Sequence, residues 1–265
     1  MKNTVNNNLC EGVKVIKRQN KLRKLLGVIL LIFALIFSVL YLASSFTDAL
    51  KIGNFSFLSL FKKDNSVSGQ KYYALMLGEF NTVSEATAIA TSSSALGASG
   101  YVWVEGGKYY AVGSIYQEKS NAEKVMDNLT GEYSLTIHEI VFNKISLNES
   151  ERNNKLIKET INYLYSVCDG LEENSIKLEK NEITQIACAS FINNYRSEIQ
   201  VSQSKIDYLL ASELNDNLLK IKNALIQMDN SLGTTTSSVL AGKTSAMKYG
   251  FAEFVFNLKI LVERL

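Results

Sequence analysis

Residues 25–43 read LLGVILLIFALIFSVLYLA, a run of nineteen without a single charge. Fourteen of them are Leu, Ile, Val or Phe. As a helix rising about 1.5 Å per residue the run spans ~28 Å, close to the ~30 Å hydrocarbon core of a bilayer. A helix on the surface of a globular protein keeps a polar face, and this segment has none. At roughly −0.3 to −0.6 kcal/mol per apolar residue, insertion gains about −4 to −8 kcal/mol. A transmembrane helix is expected over 25–44.

The flanking charges set its direction. Lys14, Lys17, Arg18, Lys21, Arg23 and Lys24 abut its N-terminal side. By the positive-inside rule, the basic tail 1–24 is cytoplasmic and everything beyond the span is extracytoplasmic, in a single-pass cell-membrane protein. A cleaved signal peptide would carry a shorter apolar run, although Ala43-Ser44-Ser45 supplies small residues. A lipoprotein needs its cysteine just after the run, whereas Cys10 precedes it. Seven of the 28 basic residues and one of the 26 acids fall in 1–24, leaving 21 bases against 25 acids. A mildly acidic body is a poor partner for nucleic-acid phosphates. Residues 45–70 read as a linker. Its stretch 51–63 (KIGNFSFLSLFKK) is equally an apolar stalk and a segment lying on the membrane surface.

Three cysteines and one histidine give no metal-ligand spacing, so neither metal nor other cofactor is expected. Proline is absent, which favours uninterrupted helices.

Residues 71–142 carry the signals of a compact α+β unit. Strand signals at 71–80 and 134–142 bracket a helix over 82–97, with Ser84 as N-cap, and a second helix from Ser120 to near Gly131. Between the helices, 101–105 and 108–112 are joined by Gly106-Gly107, a two-residue hairpin turn. The order is βαββαβ. The turn pairs Glu105 with Lys108, Val104 with Tyr109, Trp103 with Tyr110 and Val102 with Ala111, and paired residues share a face. Tyr101, Trp103, Tyr110 and Val112, with Tyr73, Leu75 and Leu77, are assigned to the core beneath the helices. Val102, Val104, Tyr109 and Ala111, with Tyr72, Ala74 and Met76, are assigned to an open face, either a binding platform or a docking surface for the rest of the chain. His138 reads as a strand-surface residue.

In YYALMLGEF, the following S-E-A-T-A helix, GYVWVEGGKYYAVGSIY and Asn121-Ala122-Glu123, the stretch 72–142 resembles the SPOR domain, a bacterial peptidoglycan-binding module. The resemblance covers about a quarter of the chain and rests on the order and spacing of these motifs. It implies recognition of peptidoglycan glycan strands on the open sheet face, through Tyr72, Ala74, Met76, Val104, Tyr109 and Ala111, at septa in sporulation or cell division. Met76 stands where the family often has Gln, and an Arg often stands near Tyr109. Aromatic and apolar faces can still stack on sugar rings.

Residues 147–265 turn to helical periodicity. Apolar stripes run through Ile157, Ile161, Leu164, Cys168 and Leu171; through Ile183, Ile186, Ala187, Phe191, Tyr195 and Ile199; through Leu210, Leu214, Leu218, Ile221, Leu225, Met228 and Leu232; and through Met247, Phe251, Phe254, Leu258, Leu261 and Leu265. With connections placed at Asp169-Gly170, 201–204 and 232–238, they predict an antiparallel four-helix bundle over 147–265, which engages a protein partner or self-associates. The third stripe is read as bundle core, with an oligomerisation seam as the lesser alternative. In a hairpin turning at Gly170, Cys168 and Cys188 lie too far apart for a disulfide. Glu172-Glu173 and Glu179 with Glu182 are carboxylate clusters that on helix surfaces are solvated. No nucleophile elbow, phosphate loop or metal-binding helix motif occurs, so no catalytic residue is assigned and a non-enzymatic protein is expected. The sequence leaves a SPOR-like fold that docks proteins instead of glycan as the alternative, with a wall-cleaving enzyme behind it.

Overall fold

A computed structural model describes residues 66–129 and 133–265. The basic tail, the expected membrane helix and the linker up to residue 65 lie outside the described residues, as does Gly131, near which the second helix was expected to end; that helix stops at Asn128. No helix among the described residues is long and apolar enough to cross a membrane.

The fold is α+β. Among the described residues twelve elements follow one another: β1 (Ser66–Val67), β2 (Gln70–Phe80), α1 (Val83–Ser94), β3 (Tyr101–Glu105), β4 (Lys108–Tyr116), α2 (Lys119–Asn128), β5 (Thr136–Phe142), β6 (Ile145–Ser146), α3 (Glu151–Glu179), α4 (Gln185–Leu210), α5 (Asp216–Leu240) and α6 (Ser245–Arg264). Strands β2 to β5 form an antiparallel sheet in the order β3-β4-β2-β5, the split arrangement of a βαββαβ chain. The short β1 and β6 pair separately, a ribbon that carried no readable sequence signal.

The hairpin register is the expected one, from Glu105↔Lys108 to Val102↔Ala111, with Gly106 and Gly107 both at positive φ. The first helix is capped two residues earlier than expected, at Thr82 in place of Ser84. Thr82 is its N-cap, with the hydroxyl accepting the Glu85 N–H at 3.3 Å.

The four long helices pack antiparallel, as their cross-links show. Tyr163 and Asn174 of α3 both reach Tyr195 of α4. Arg196–Asp229 (2.8 Å) and Asp207–Lys222 (2.5 Å) tie α4 to α5 with opposite polarity. Ser231–Glu253 and Lys220–Arg264 do the same for α5 and α6. The connections, however, are not at the expected places. Asp169-Gly170, 201–204 and 232–238 all lie inside helices. Gly170 is a packing glycine, because a Cβ there would fall on the Tyr195 hydroxyl. Thr235 and Thr236 return their hydroxyls to the carbonyls of Ser231 and Leu232, one turn back, so they do not break α5. The chain turns at Asn181 (φ 58°) before the cap Thr184, at 211–214 before the cap Asn215, and at Gly242 (φ 89°).

The α3, α5 and α6 stripes are buried as read, except that Leu265 is only partly covered. The third stripe is thus core of this chain, apart from its first two residues: Leu210 is partly covered and Leu214 is exposed in the connection. The α4 stripe holds in its second half, where Tyr195 and Ile199 are buried as read, but in its first half Ile186 and Phe191 are exposed while Cys188 and Ile192 are buried in their place. Helix α4 meets α3 on one side and α5 on the other, so its apolar arc is wide and its edge ambiguous in sequence. Cys168 and Cys188 are buried free thiols, the latter 3.8 Å from the sulfur of Met247.

Candidate functional site

The two faces of the sheet are covered differently from expectation. Bulges beside Met76 and around Gly113 shift the β2–β4 register, so that Met76 pairs with Val112, which in turn pairs with Tyr101. Tyr72, Ala74 and Met76 therefore share a face with Tyr101, Trp103, Tyr110 and Val112. That face does not meet α1 and α2. It packs on the bundle, in one continuous core with Leu164, Phe251, Phe254 and Phe256. The other face carries Leu77, Ala111 and Val102, packed with Ala90 of α1 in a smaller cluster.

The six residues assigned to the open face are consequently divided. Tyr72, Ala74 and Met76 are sealed beneath the bundle, and Ala111 is sealed beneath α1. Only Val104, half exposed, and its direct partner Tyr109, partly exposed, keep access to solvent, and both sit at the hairpin. An open four-stranded platform does not form. Parity along one strand cannot reveal this, because two bulges each reset the alternation.

Aromatic rings make the joint between sheet and bundle. Trp103 stacks on Phe256 of α6 with centroids 4.2 Å apart, and Tyr101 stacks on the same ring at 5.6 Å. Tyr72 meets Phe251 edge-on at 6.4 Å, and Phe142 meets Tyr165 of α3 at 5.4 Å. Such pairs add about 0.5–1.5 kcal/mol each beyond their burial.

A polar cluster closes one end of the joint. The Tyr72 hydroxyl donates to Asp169 Oδ1 (2.9 Å), and Gln117 Nε2 donates to the same oxygen (2.6 Å). The Gln117 backbone N–H is shared between both oxygens of Glu172, at 3.2 and 3.1 Å. Burial pushes the Glu172 carboxyl up to about 7, against the opposing effect of the Gln117 N–H. Burial raises Asp169 as well, opposed by its bonds from Tyr72 and Gln117. It also carries Tyr72 far above the usual phenol range, helped by Cys168 and Asp169. Glu172 was expected to be solvated. It is buried because its helix face turns toward the end of β4. The other acids of those clusters keep the surface role, Glu173 with Lys177 (2.6 Å) and Glu179 with Lys248 (2.8 Å). His138 is half-exposed on β5, with Nε2 3.2 Å from Glu105.

Among the described residues no three His, Cys, Asp or Glu side chains stand together as metal ligands. The polar cluster is a joint within the fold: Asp169 is engaged by Tyr72 of β2 and Glu172 by Gln117 just after β4, and the groups around them are a phenol, an amide and a thiol held un-ionised by burial. No family model, no curated protein and no solved structure matches the chain.

Proposed function

We propose that this chain is a membrane-anchored, extracytoplasmic, non-enzymatic protein of the bacterial cell wall, acting at the septum in sporulation or cell division. Its SPOR-like unit and its helical bundle work as one protein-docking body. The observation that carries this reading is the stacking of Trp103 on Phe256, within a core that runs unbroken from the sheet face into the bundle. A sheet face built from Tyr72, Met76 and Trp103 is large and apolar, and uncovering it costs roughly 25 cal/mol per Å². The face therefore acts as an internal interface, and the outer faces of the bundle and hairpin are left for partners.

One observation favours a second reading, direct binding of peptidoglycan glycan strands. Val104 and Tyr109 are paired neighbours that keep solvent access at the hairpin, and they offer a small stacking surface for a sugar ring.

The experiment is pelleting of the detergent-solubilised full chain with sacculi, before and after an amidase removes the stem peptides, with a fluorescent fusion followed in dividing and sporulating cells. Septal enrichment without pelleting supports docking through protein. Pelleting that rises on amidase treatment and falls in Tyr109→Ala supports glycan recognition at the hairpin. Uniform membrane fluorescence with no pelleting overturns both, and release of soluble muropeptides overturns the non-enzymatic assignment.

A further inference from the structure

A groove of about 510 Å³ runs between the N-terminal turns of α3 and the C-terminal turns of α4. We propose that it binds a short acidic, amphipathic segment of a partner protein, an inference that rests on the docking reading above and names the chemistry of what docks. The lining runs from Arg152 to Glu159 on one bank and from Val201 to Leu209 on the other, about two helical turns, or ~11 Å, on each. Leu156 and Leu209 form a floor continuous with the bundle core. Val201 and Tyr208 stand above it 45% and 70% exposed, and no element among the described residues covers them.

The charges are unbalanced in one direction. The Arg152 guanidinium lies over the Tyr208 ring, 5.3 Å from its centroid, with no carboxylate in ion-pair range among the described residues. Lys205, on the opposite bank, has none either. The nearest acid on its own helix, Asp207, is taken by Lys222 at 2.5 Å. Lys155 reaches only Glu159, at 3.9 Å across an exposed i,i+4 pair that stabilises by a few tenths of a kcal/mol. Three cations and one carboxylate thus line a groove on a body that is acidic outside its N-terminal tail. The cations ask for carboxylates from the ligand, and the Arg152 guanidinium, with no carboxylate on it among the described residues, has the fork of donors to take one bidentately. The apolar floor asks for side chains that a purely anionic small molecule does not have. Two turns of floor match anchors at i and i+3 or i+4 of a helix laid in a groove.

The test uses the full chain in detergent micelles as bait for a library of twelve-residue peptides, with counter-selection on the Arg152→Glu/Lys205→Glu variant. Both residues are exposed, so the variant keeps the wild-type far-UV circular dichroism and melting point. Tyr208→Ala is a second variant that removes the apolar wall and leaves the charges. The expected result is enrichment of peptides with Asp or Glu flanking apolar residues at i, i+3 or i+4. These bind the double variant at least tenfold more weakly, bind Tyr208→Ala more weakly, and lose affinity with added salt. No enrichment, enrichment of neutral or basic sequences, or equal binding to the double variant overturns the proposal. So does retention of soluble short-chain phosphatidylglycerol by wild type and not by the double variant, which assigns the groove to a lipid headgroup. Septal localisation is read separately. Its loss with peptide binding intact removes the docking site from the septum, and peptide binding lost with localisation intact removes this groove from the docking.

Discussion

The Glu172 carboxylate on α3 receives the backbone N–H of Gln117, the residue that follows β4, and so pins the end of the sheet to the first helix of the bundle. It is a buried carboxyl whose folded-state value, about 7, lies above its ordinary 4.5. Burial is the cause, and the bond from Gln117 opposes it without cancelling it.

A pH dependence follows from that shift. A carboxyl whose pKa is raised by folding contributes its full stability below about pH 4.5, and the contribution is lost as pH rises through 7. The difference corresponds to up to about 3 kcal/mol at 1.36 kcal/mol per pH unit. Asp169 is raised by burial too and acts in the same sense. Urea unfolding of the solubilised chain is expected to show a lower midpoint at pH 8 than at pH 5.5, and Glu172→Gln to flatten the difference. An unchanged pH dependence in Glu172→Gln would remove this residue as its origin.

The sheet and the bundle are expected to unfold together, since one core spans both. Phe256→Ala removes the ring that Trp103 and Tyr101 stack on and is expected to cost about 3–5 kcal/mol. Trp103→Phe keeps an aromatic face there and removes a buried indole N–H without a partner among the described residues, so its cost is expected to be about 1 kcal/mol or less. Trp103 fluorescence, which reports the joint, and far-UV circular dichroism, which is dominated by the helices, should melt at one midpoint. A fluorescence change completed several degrees earlier would mean that the joint opens on its own.

Gly170→Ala places a methyl on the Tyr195 hydroxyl and is expected to destabilise by about 1–3 kcal/mol, although alanine is the better helix former. Tyr195→Phe removes the oxygen it strikes. The double variant should therefore recover most of the loss in thermal melts, and a strictly additive result would show that the clash is not with that hydroxyl.

The membrane reading makes a prediction of its own. Alkaline phosphatase, active only outside the cytoplasm, should be active when fused after residue 265 and inactive when fused after residue 24. The opposite pattern would reverse the orientation that the basic tail implies.

The local rules were legible where the chain signals itself. Gly106-Gly107 sets the hairpin register residue by residue, because a two-residue turn leaves only one pairing. The α3 and α6 stripes are buried because each helix presents one continuous arc to the core, and the apolar period records that arc. The turns between helices were misplaced: they fall at the caps Thr184 and Asn215 and at Gly242, whereas Gly170, 201–204 and 232–238 were read as the breaks. A packing glycine and back-bonded threonines have the composition of a loop, and what keeps them helical is a neighbour: Tyr195 above Gly170, and α6 against Thr235.

By itself, the sequence determined the βαββαβ order, the hairpin pairing, the four helices of 147–265 and which residues of three of them face inward. Each of these depends on residues close along the chain. Tertiary structure alone decided which sheet face the bundle covers, that Glu172 is buried, and that Arg152 and Lys205 face each other across an open groove. These depend on the β2–β4 register, reset by two bulges between strands separated by a helix and another strand, and on where α6 comes to rest, more than a hundred residues after the sheet it seals.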